Sequence, residues 1–377
     1  MPRPLDPLRH LDDELRDLDH AGLLRTPPAA LPAACAPGAL VLCSNDYLGY
    51  ASLPWPSAAE LPAGAGASRL VTGTHPAHLD AERELAAWLG ADAALLFSSG
   101  YAANVGTVAA LARPGDVIVS DALNHASLID GCRLSGASIS VVPHLDTAAV
   151  ERALAQAGGA RRRWVITESL FSMDGDTPDL PRLRALCDAH DAALLVDEAH
   201  AFGALGPRGA GLCAQLGVRA DVRIGTLGKS LGLHGAFVLG SASLRTYLWN
   251  RARSFVFSTG PSPALAAAAV DRIRRAADDD SGRQRLQLAS DRLRAGLLEL
   301  GANLLPGARG PILPWLLDTP AAAVSLSQRL AAQGVLVQPI RPPTVPKGTS
   351  RLRITASAAL SPADLERALE AFREALQ

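Results

Sequence analysis

The chain contains no Cys-x-x-Cys pair, and its five cysteines, Cys35, Cys43, Cys132, Cys187 and Cys213, lie far apart in 377 residues. An odd, scattered set argues against a disulfide framework and against a metal cluster, and fits a reducing compartment. No apolar run approaches a membrane span, and the N-terminus carries Asp12, Asp13, Glu14 and Asp17 where a secretory or transit leader would be basic. The expected location is the cytoplasm, with no membrane partner. The formal net charge is only -1, and no basic stripe with interleaved aromatics is present to track a phosphate backbone, which excludes nucleic acid as the expected partner. What remains is a 39.2 kDa chain with 48% hydrophobic and 19% charged residues, the composition of an α/β enzyme with room for two or three domains.

Short apolar runs recur at 94–97, 117–119, 139–142, 164–167, 193–196, 222–225 and 236–239, mostly separated by stretches long enough for a helix. Continuous rather than alternating runs suit strands buried on both faces, so the pattern predicts a mostly parallel seven-stranded sheet flanked by helices. In front of it, leucines at 8, 11, 15 and 18 predict an amphipathic helix over 7–24 whose stripe docks on the body or a partner subunit. Beyond Pro261 and Pro263 the pattern changes to a smaller α+β unit, closed by a helix that Ser361-Pro362-Ala363-Asp364 caps and opens. The expected division is an N-terminal helix and lead-in over 1–45, a large α/β domain over 46–262 and a small domain over 263–377.

Two stretches organise the chemistry. Thr226-Leu227-Gly228-Lys229-Ser230-Leu231-Gly232 sets one lysine among small residues after a predicted strand, and Asp197-Glu198-Ala199-His200 ends the apolar run before it. A partly dehydrated lysine is a candidate amine nucleophile, and a carboxylate at the C-terminal edge of a parallel sheet lies where ligands bind. Asp197 to His200 also spells a helicase DEAH box, and Gly228-Lys229-Ser230 ends like a P-loop. The P-loop needs a glycine five positions before Gly228, however, and that position is Arg223. The two elements also run in the wrong order for a helicase.

Other strand ends are loaded too. Ser98-Ser99-Gly100-Tyr101-Ala102-Ala103-Asn104 is a small-residue turn and helix start, the geometry that offers backbone N–H groups to a phosphate. Asn124-His125-Ala126-Ser127 places a histidine able to stack on a flat ring, and Glu168 to Asp176 ends the fourth run. Ser44-Asn45-Asp46-Tyr47-Leu48-Gly49 brings amide, carboxylate and phenol groups together in a turn. Any one of these has an ordinary structural reading as a cap, turn or core residue. Together they supply a Schiff-base amine, a ring-nitrogen partner, a stacking group and a phosphate cradle, the parts that pyridoxal phosphate (PLP) requires.

With those motifs, and with Phe171-Ser172-Met173-Asp174-Gly175-Asp176, Ile340-Arg341-Pro342-Pro343-Thr344-Val345-Pro346 and Arg351-Leu352-Arg353, the sequence resembles the α-oxoamine synthases from about Ser44 to Thr355. These are PLP enzymes of the aspartate-aminotransferase fold, fold type I. The resemblance implies catalytic roles for Lys229, His125 and Asp197. It implies cofactor contacts from Gly100, Tyr101, His125, Glu168, Ser172, Asp197, His200, Thr226 and Lys229, with Ser258 and Thr259 reaching the phosphate from the partner subunit of a homodimer. Asn45 and Arg353 would hold an amino-acid carboxylate, with His125 over the substrate and Arg25 and Thr344 on the acyl side. No metal is implied.

The 340–346 motif points to the members that condense L-alanine with pimeloyl-CoA or a pimeloyl carrier protein and lose CO2. A glycine- or serine-using synthase such as 2-amino-3-ketobutyrate ligase is the alternative, and a PLP-fold binding module without turnover is another. The segments between Arg25 and Asn45 and between Gly49 and Gly64 are shorter than is usual in the family.

Overall fold

A computed structural model describes residues 8, 10–24, 38–54 and 61–377. Its strands are β1 (Leu40–Val41), β2 (Ala93–Phe97), β3 (Val117–Asp121), β4 (Ser138–Val142), β5 (Arg163–Glu168), β6 (Ala192–Asp197), β7 (Val222–Thr226), β8 (Ala236–Gly240), β9 (Ile312–Leu316), β10 (Val335–Leu336), β11 (Gln338–Ile340) and β12 (Arg351–Thr355). The helices that bear on the site are α1 (His10–His20), α2 (Pro76–Leu89), α3 (Gly100–Leu111), α4 (Ala126–Ser135), α5 (Thr147–Gln156), α6 (Leu180–Ala189) and, near the C-terminus, α7 (Pro362–Ala375).

All seven apolar runs are strands of one sheet in the order β2-β8-β7-β6-β5-β3-β4. Alternate residues of each strand point to opposite faces, and the packing follows that period. Ile118, Ile166 and Leu195 join a core on one side with Leu128 of α4, while Val119, Val165, Leu194 and Val196 join a second core with Leu183 of α6. The sheet is parallel except at β8, which runs antiparallel to both β2 and β7. The reason is length: residues 227–235 are too few for a crossover, which takes about a dozen residues or more, so the chain can only turn back. Lys229 sits in that turn.

The C-terminal part carries a three-stranded sheet, β11-β12-β9, and β10 pairs in parallel with β1 from the other end of the sequence, Leu40 opposite Val335. A third apolar cluster runs from Leu85 of α2 through Tyr47 to Trp315 and Phe372 of α7, so both ends of the chain share a core. The backbone of residues 42–47 is held by the end of β12 and the segment after it. Thr355 N–H donates to Leu42 O (2.8 Å), Thr355 Oγ1 to Ser44 O (2.8 Å), and Ala358 N–H to Tyr47 O (2.8 Å).

The N-terminal helix is shorter than the expected 7–24. Among the described residues nothing covers its stripe, Leu11, Leu15 and Leu18 all being more than 40% exposed, which leaves the partner-subunit alternative. On α2, Leu85 and Leu89 are buried while Leu79, off the face that meets the sheet, is partly exposed. The four described cysteines are free thiols. Among the described residues, no helix is long and apolar enough to cross a membrane.

Candidate active site

The C-terminal ends of β5, β6 and β7 and the starts of α3 and α4 converge beside Lys229. Glu168 and Asp197 end adjacent strands in register, which sets two buried carboxylates side by side. Burial, and then the neighbouring Asp197 charge, push the Glu168 carboxyl up to about 8. Its oxygens accept from His125 N–H (2.7 Å) and Ser172 N–H (3.2 Å), tying the loops that follow β3 and β5 together. Asp197 accepts from Ala199 N–H at 2.8 Å and from Asn104 Nδ2 at 2.7 Å, one donor for each oxygen.

Asn104 lies on the first turns of α3 and donates also to Ser127 Oγ at 2.9 Å. That hydroxyl donates in turn to His125 Nδ1 at 2.7 Å, whose ring also caps α4 by accepting from Ser127 N–H. A single amide thus orients both the carboxylate proposed to face the pyridine nitrogen and the imidazole proposed to stack on the ring. His125 is exposed. Burial and the Lys229 charge lower its pKa against the opposing pull of Asp197, so it is an uncharged flat surface near neutrality.

Lys229 Nζ lies 2.8 Å from His200 Nε2. Burial brings the lysine down to about 8, with Asp197 and Glu168 opposing and Arg353 assisting. A substantial fraction is therefore free amine at physiological pH, the form a Schiff base requires. His200 is buried, and its pKa is held well below the usual range by burial and by the charges of Lys229 and Arg353. Its Nδ1 faces the Tyr47 hydroxyl at 2.6 Å.

Arg353 comes from β12. It and Arg351, two residues apart, share one face of the strand and both reach the Phe171–Asp176 loop. Arg351 pairs with Asp174 at 2.8 Å and donates to Met173 O, while Arg353 Nε donates to Ser172 O at 2.6 Å. Arg353 is buried, and among the described residues no carboxylate pairs with it. An uncompensated buried cation is costly unless an anion arrives. Asn45 and Tyr47 adjoin it: Arg353 Nη2 lies 3.5 Å from the Tyr47 hydroxyl, and that hydroxyl lies 3.3 Å from Asn45 Oδ1.

The remaining sequence candidates are placed less centrally. Gly100 opens α3, where a Cβ would meet nothing within 4 Å, and Ser99 caps the helix through Ala102 N–H, so the helix start is free to face an anion. Tyr101 is half exposed and its hydroxyl donates to Asp130. The Thr226 hydroxyl donates to Gly235 O at 2.9 Å and accepts from Gly228 N–H, bracing the lysine turn. Ser258 and Thr259 line a small pocket with Arg69 and Ser98, Thr259 bridging to Ser68. Thr344 lies exposed in the loop between β11 and β12, and Arg25 lies outside the described residues.

Asn104 and Tyr47 are the functional residues to which the motifs assign no role. Asn104 lies inside the stretch read as a phosphate cradle, and Tyr47 inside the turn noted for its phenol. The buried carboxylates, the lowered lysine, the stacking surface and the unpaired arginine fit PLP.

Comparison with known proteins decides the family. The pattern of "Aminotransferase class I and II" matches residues 37–372. The 8-amino-7-oxononanoate synthase of Alkalilimnicola ehrlichii is 43% identical over 98% of this chain and 98% of its own. The chain belongs to the 8-amino-7-oxononanoate synthase family, within the class I and II aminotransferases. Among solved structures, the Sphingomonas wittichii serine palmitoyltransferase superposes with a TM-score of 0.92 at 31% identity, covering 98% of each chain. That of S. paucimobilis, with PLP bound as a myriocin adduct, gives 0.90 at 28%, again over 98% of each. This is a PLP-dependent acyltransferase family of fold type I, and the mostly parallel seven-stranded sheet conforms to it.

Proposed function

We propose that the chain catalyses the decarboxylating condensation of L-alanine with pimeloyl-CoA or a pimeloyl carrier protein, giving 8-amino-7-oxononanoate, CoA or carrier thiol, and CO2 in biotin synthesis. The observation that carries the site assignment is the buried Arg353 cation, paired with no carboxylate among the described residues and lying near a lysine of lowered pKa.

When bound, PLP supplies an electron-withdrawing ring that spreads the negative charge released at the substrate Cα. Lys229 is the amine that would hold the cofactor, and as a free amine it would be the base that takes the Cα proton and later returns it. A pKa near 8 suits both duties, since a base works best when it titrates near the working pH. Asp197, fixed by Asn104 and Ala199, would face the ring nitrogen. His125 would supply the stacking face, while His200 and Ser172 would contact the phenolic oxygen. Gly100, Tyr101 and Thr226 would serve the phosphate. Arg353 and Asn45 take the alanine carboxylate, leaving Arg25 and Thr344 for the acyl chain.

A homodimer completes the site, Ser258 and Thr259 reaching the partner's phosphate. Supporting this, the adjoining Val71 and Phe257 are each more than 70% exposed, an apolar surface that calls for a cover. The four free cysteines suit the cytoplasm.

The test is turnover of purified protein with each amino acid and acyl thioester. Thiol release with L-alanine and pimeloyl-CoA is expected, and activity confined to glycine with acetyl-CoA would reject the assignment. A visible spectrum unchanged by L-alanine, together with no turnover on any pair, would favour a binding module instead.

A further inference from the structure

We infer that Tyr47 is a positioning residue that fixes which ring nitrogen of His200 carries the proton, and through that choice whether Lys229 stands as a free amine. The inference rests on the reading of Lys229 and Arg353 given under the proposed function. Tyr47 is fully buried, and its hydroxyl meets His200 Nδ1 at 2.6 Å, Asn45 Oδ1 at 3.3 Å and Arg353 Nη2 at 3.5 Å.

A phenol has one hydrogen to give. The 2.6 Å contact is a short, strong O–H···N bond, whereas 3.3 Å to the amide is long for a hydroxyl donor. The guanidinium on the other side of the phenol oxygen makes that oxygen a poorer acceptor and its hydrogen a better donor. The hydrogen therefore points at Nδ1. A neutral His200 then bears its own hydrogen on Nε2, the nitrogen facing Lys229 Nζ at 2.8 Å. That N–H needs a lone pair to donate into, which an amine has and an ammonium lacks.

Charging Lys229 requires the opposite arrangement. The ammonium donates to Nε2, the His200 hydrogen moves to Nδ1, and the phenol hydrogen swings to Asn45. The three groups change together, and the short Tyr47 bond weights the balance toward the amine. The other charges in view act on the same balance. Burial and Arg353 oppose the ammonium, while Asp197 and Glu168 favour it. The phenolic oxygen proposed as the His200 partner is an acceptor, and it calls for the same Nε2–H tautomer.

The competing account is that Tyr47 only fills the core. Tyr47→Phe keeps the ring and removes the hydroxyl. Two readings on the full chain, with PLP bound and after its removal, separate the accounts. The first is 15N NMR of imidazole-labelled protein, with the His200 signal assigned by its loss in His200→Asn. Wild type is expected as the Nε2–H tautomer and Y47F as a mixture or the reverse form.

The second is the pH dependence of competitive acetylation of Lys229, resolved by mass spectrometry from Lys347, the only other lysine in the sequence. This is read on the PLP-free chain, where the amine is uncombined. Loss of one buried hydrogen bond should raise the Lys229 pKa by about half a unit to one unit, a roughly three- to ten-fold drop in labelling below the pKa. An unchanged tautomer and unchanged labelling in a normally melting Y47F would overturn the proposal. Should Y47F fail to fold, an Nδ1–H tautomer in wild type alone would overturn it. If wild type takes up no PLP at all, the proposed function fails, while the tautomer result on the PLP-free chain still decides the role of Tyr47.

Discussion

The site is built from side chains that each have an ordinary reason to be where they are. Lys229 sits in a turn, Asp197 ends a strand and Arg353 alternates along the central strand of the small sheet. Their chemistry comes from what surrounds them. Replacing Lys229 with alanine should abolish the visible band that borohydride removes from the parent, and with Lys347 the only other lysine, a reducible band surviving in K229A would exclude the Schiff-base assignment. Asp197→Asn keeps the shape and the Ala199 contact but loses the charge. It should leave folding intact and slow Cα proton exchange of alanine by about a hundred-fold or more, and near-normal exchange measured by deuterium wash-in would contradict its role. Arg353→Ala removes a charged contact worth about 1.5–3 kcal/mol, so the KM for alanine should rise roughly ten- to a hundred-fold, with little change for the acyl thioester.

Lys229, Asp197 and His125 were legible because strand ends in a parallel sheet are where ligands collect, and that rule needs only the apolar runs. The roles of Asn104 and Tyr47 were not, since Asn104 meets Asp197 across 93 residues and Tyr47 meets His200 across 153. No local pattern announces a partner that only the strand order supplies.

At the scale of elements, the lysine turn depends on one glycine. Gly232 has φ of +62°, and a Cβ there would lie 2.4 Å from the backbone of Tyr50 and Ala51. Gly232→Ala should therefore cost on the order of 2 kcal/mol or more and loosen PLP, read as a lower melting temperature and weaker cofactor retention.

The Phe171–Asp176 loop is pinned on its other side by His144, whose ring lies between Asp121 at 2.9 Å and Asp176 at 3.1 Å. Burial alone would lower this histidine, but the two carboxylates outweigh it and raise it from 6.5 to about 10. A raised pKa in the folded state means the clamp contributes fully below about pH 6.5 and is lost as pH climbs through 10. Melting temperature should fall between pH 7 and 10 in wild type more steeply than in His144→Gln, and equal slopes would remove the clamp from the account. The strands were readable from their apolar runs, whereas the reversed β8 was not, because its direction follows from the short 227–235 link rather than from its own composition.

For the whole molecule, the proposed dimer predicts that Phe257→Glu places a charge on a surface that must be covered. Sedimentation should show monomer, with activity falling in parallel through Ser258 and Thr259, and a fully active monomer would refute the shared site. The body of the fold was legible from the seven runs. The partner of β1 was not, since its parallel pairing with Val335–Leu336 joins stretches almost three hundred residues apart.

That pairing has a consequence for synthesis. Because residues 42–47 are strapped to Thr355 and Ala358, the turn bearing Asn45 and Tyr47 has nothing to settle on while the ribosome is still making the middle of the protein. The central sheet can assemble as it emerges, but the corner proposed to hold the substrate carboxylate waits for the last few dozen residues. A nascent chain halted before residue 350 should carry a sheet with its lysine in place and yet fail to bind amino acid.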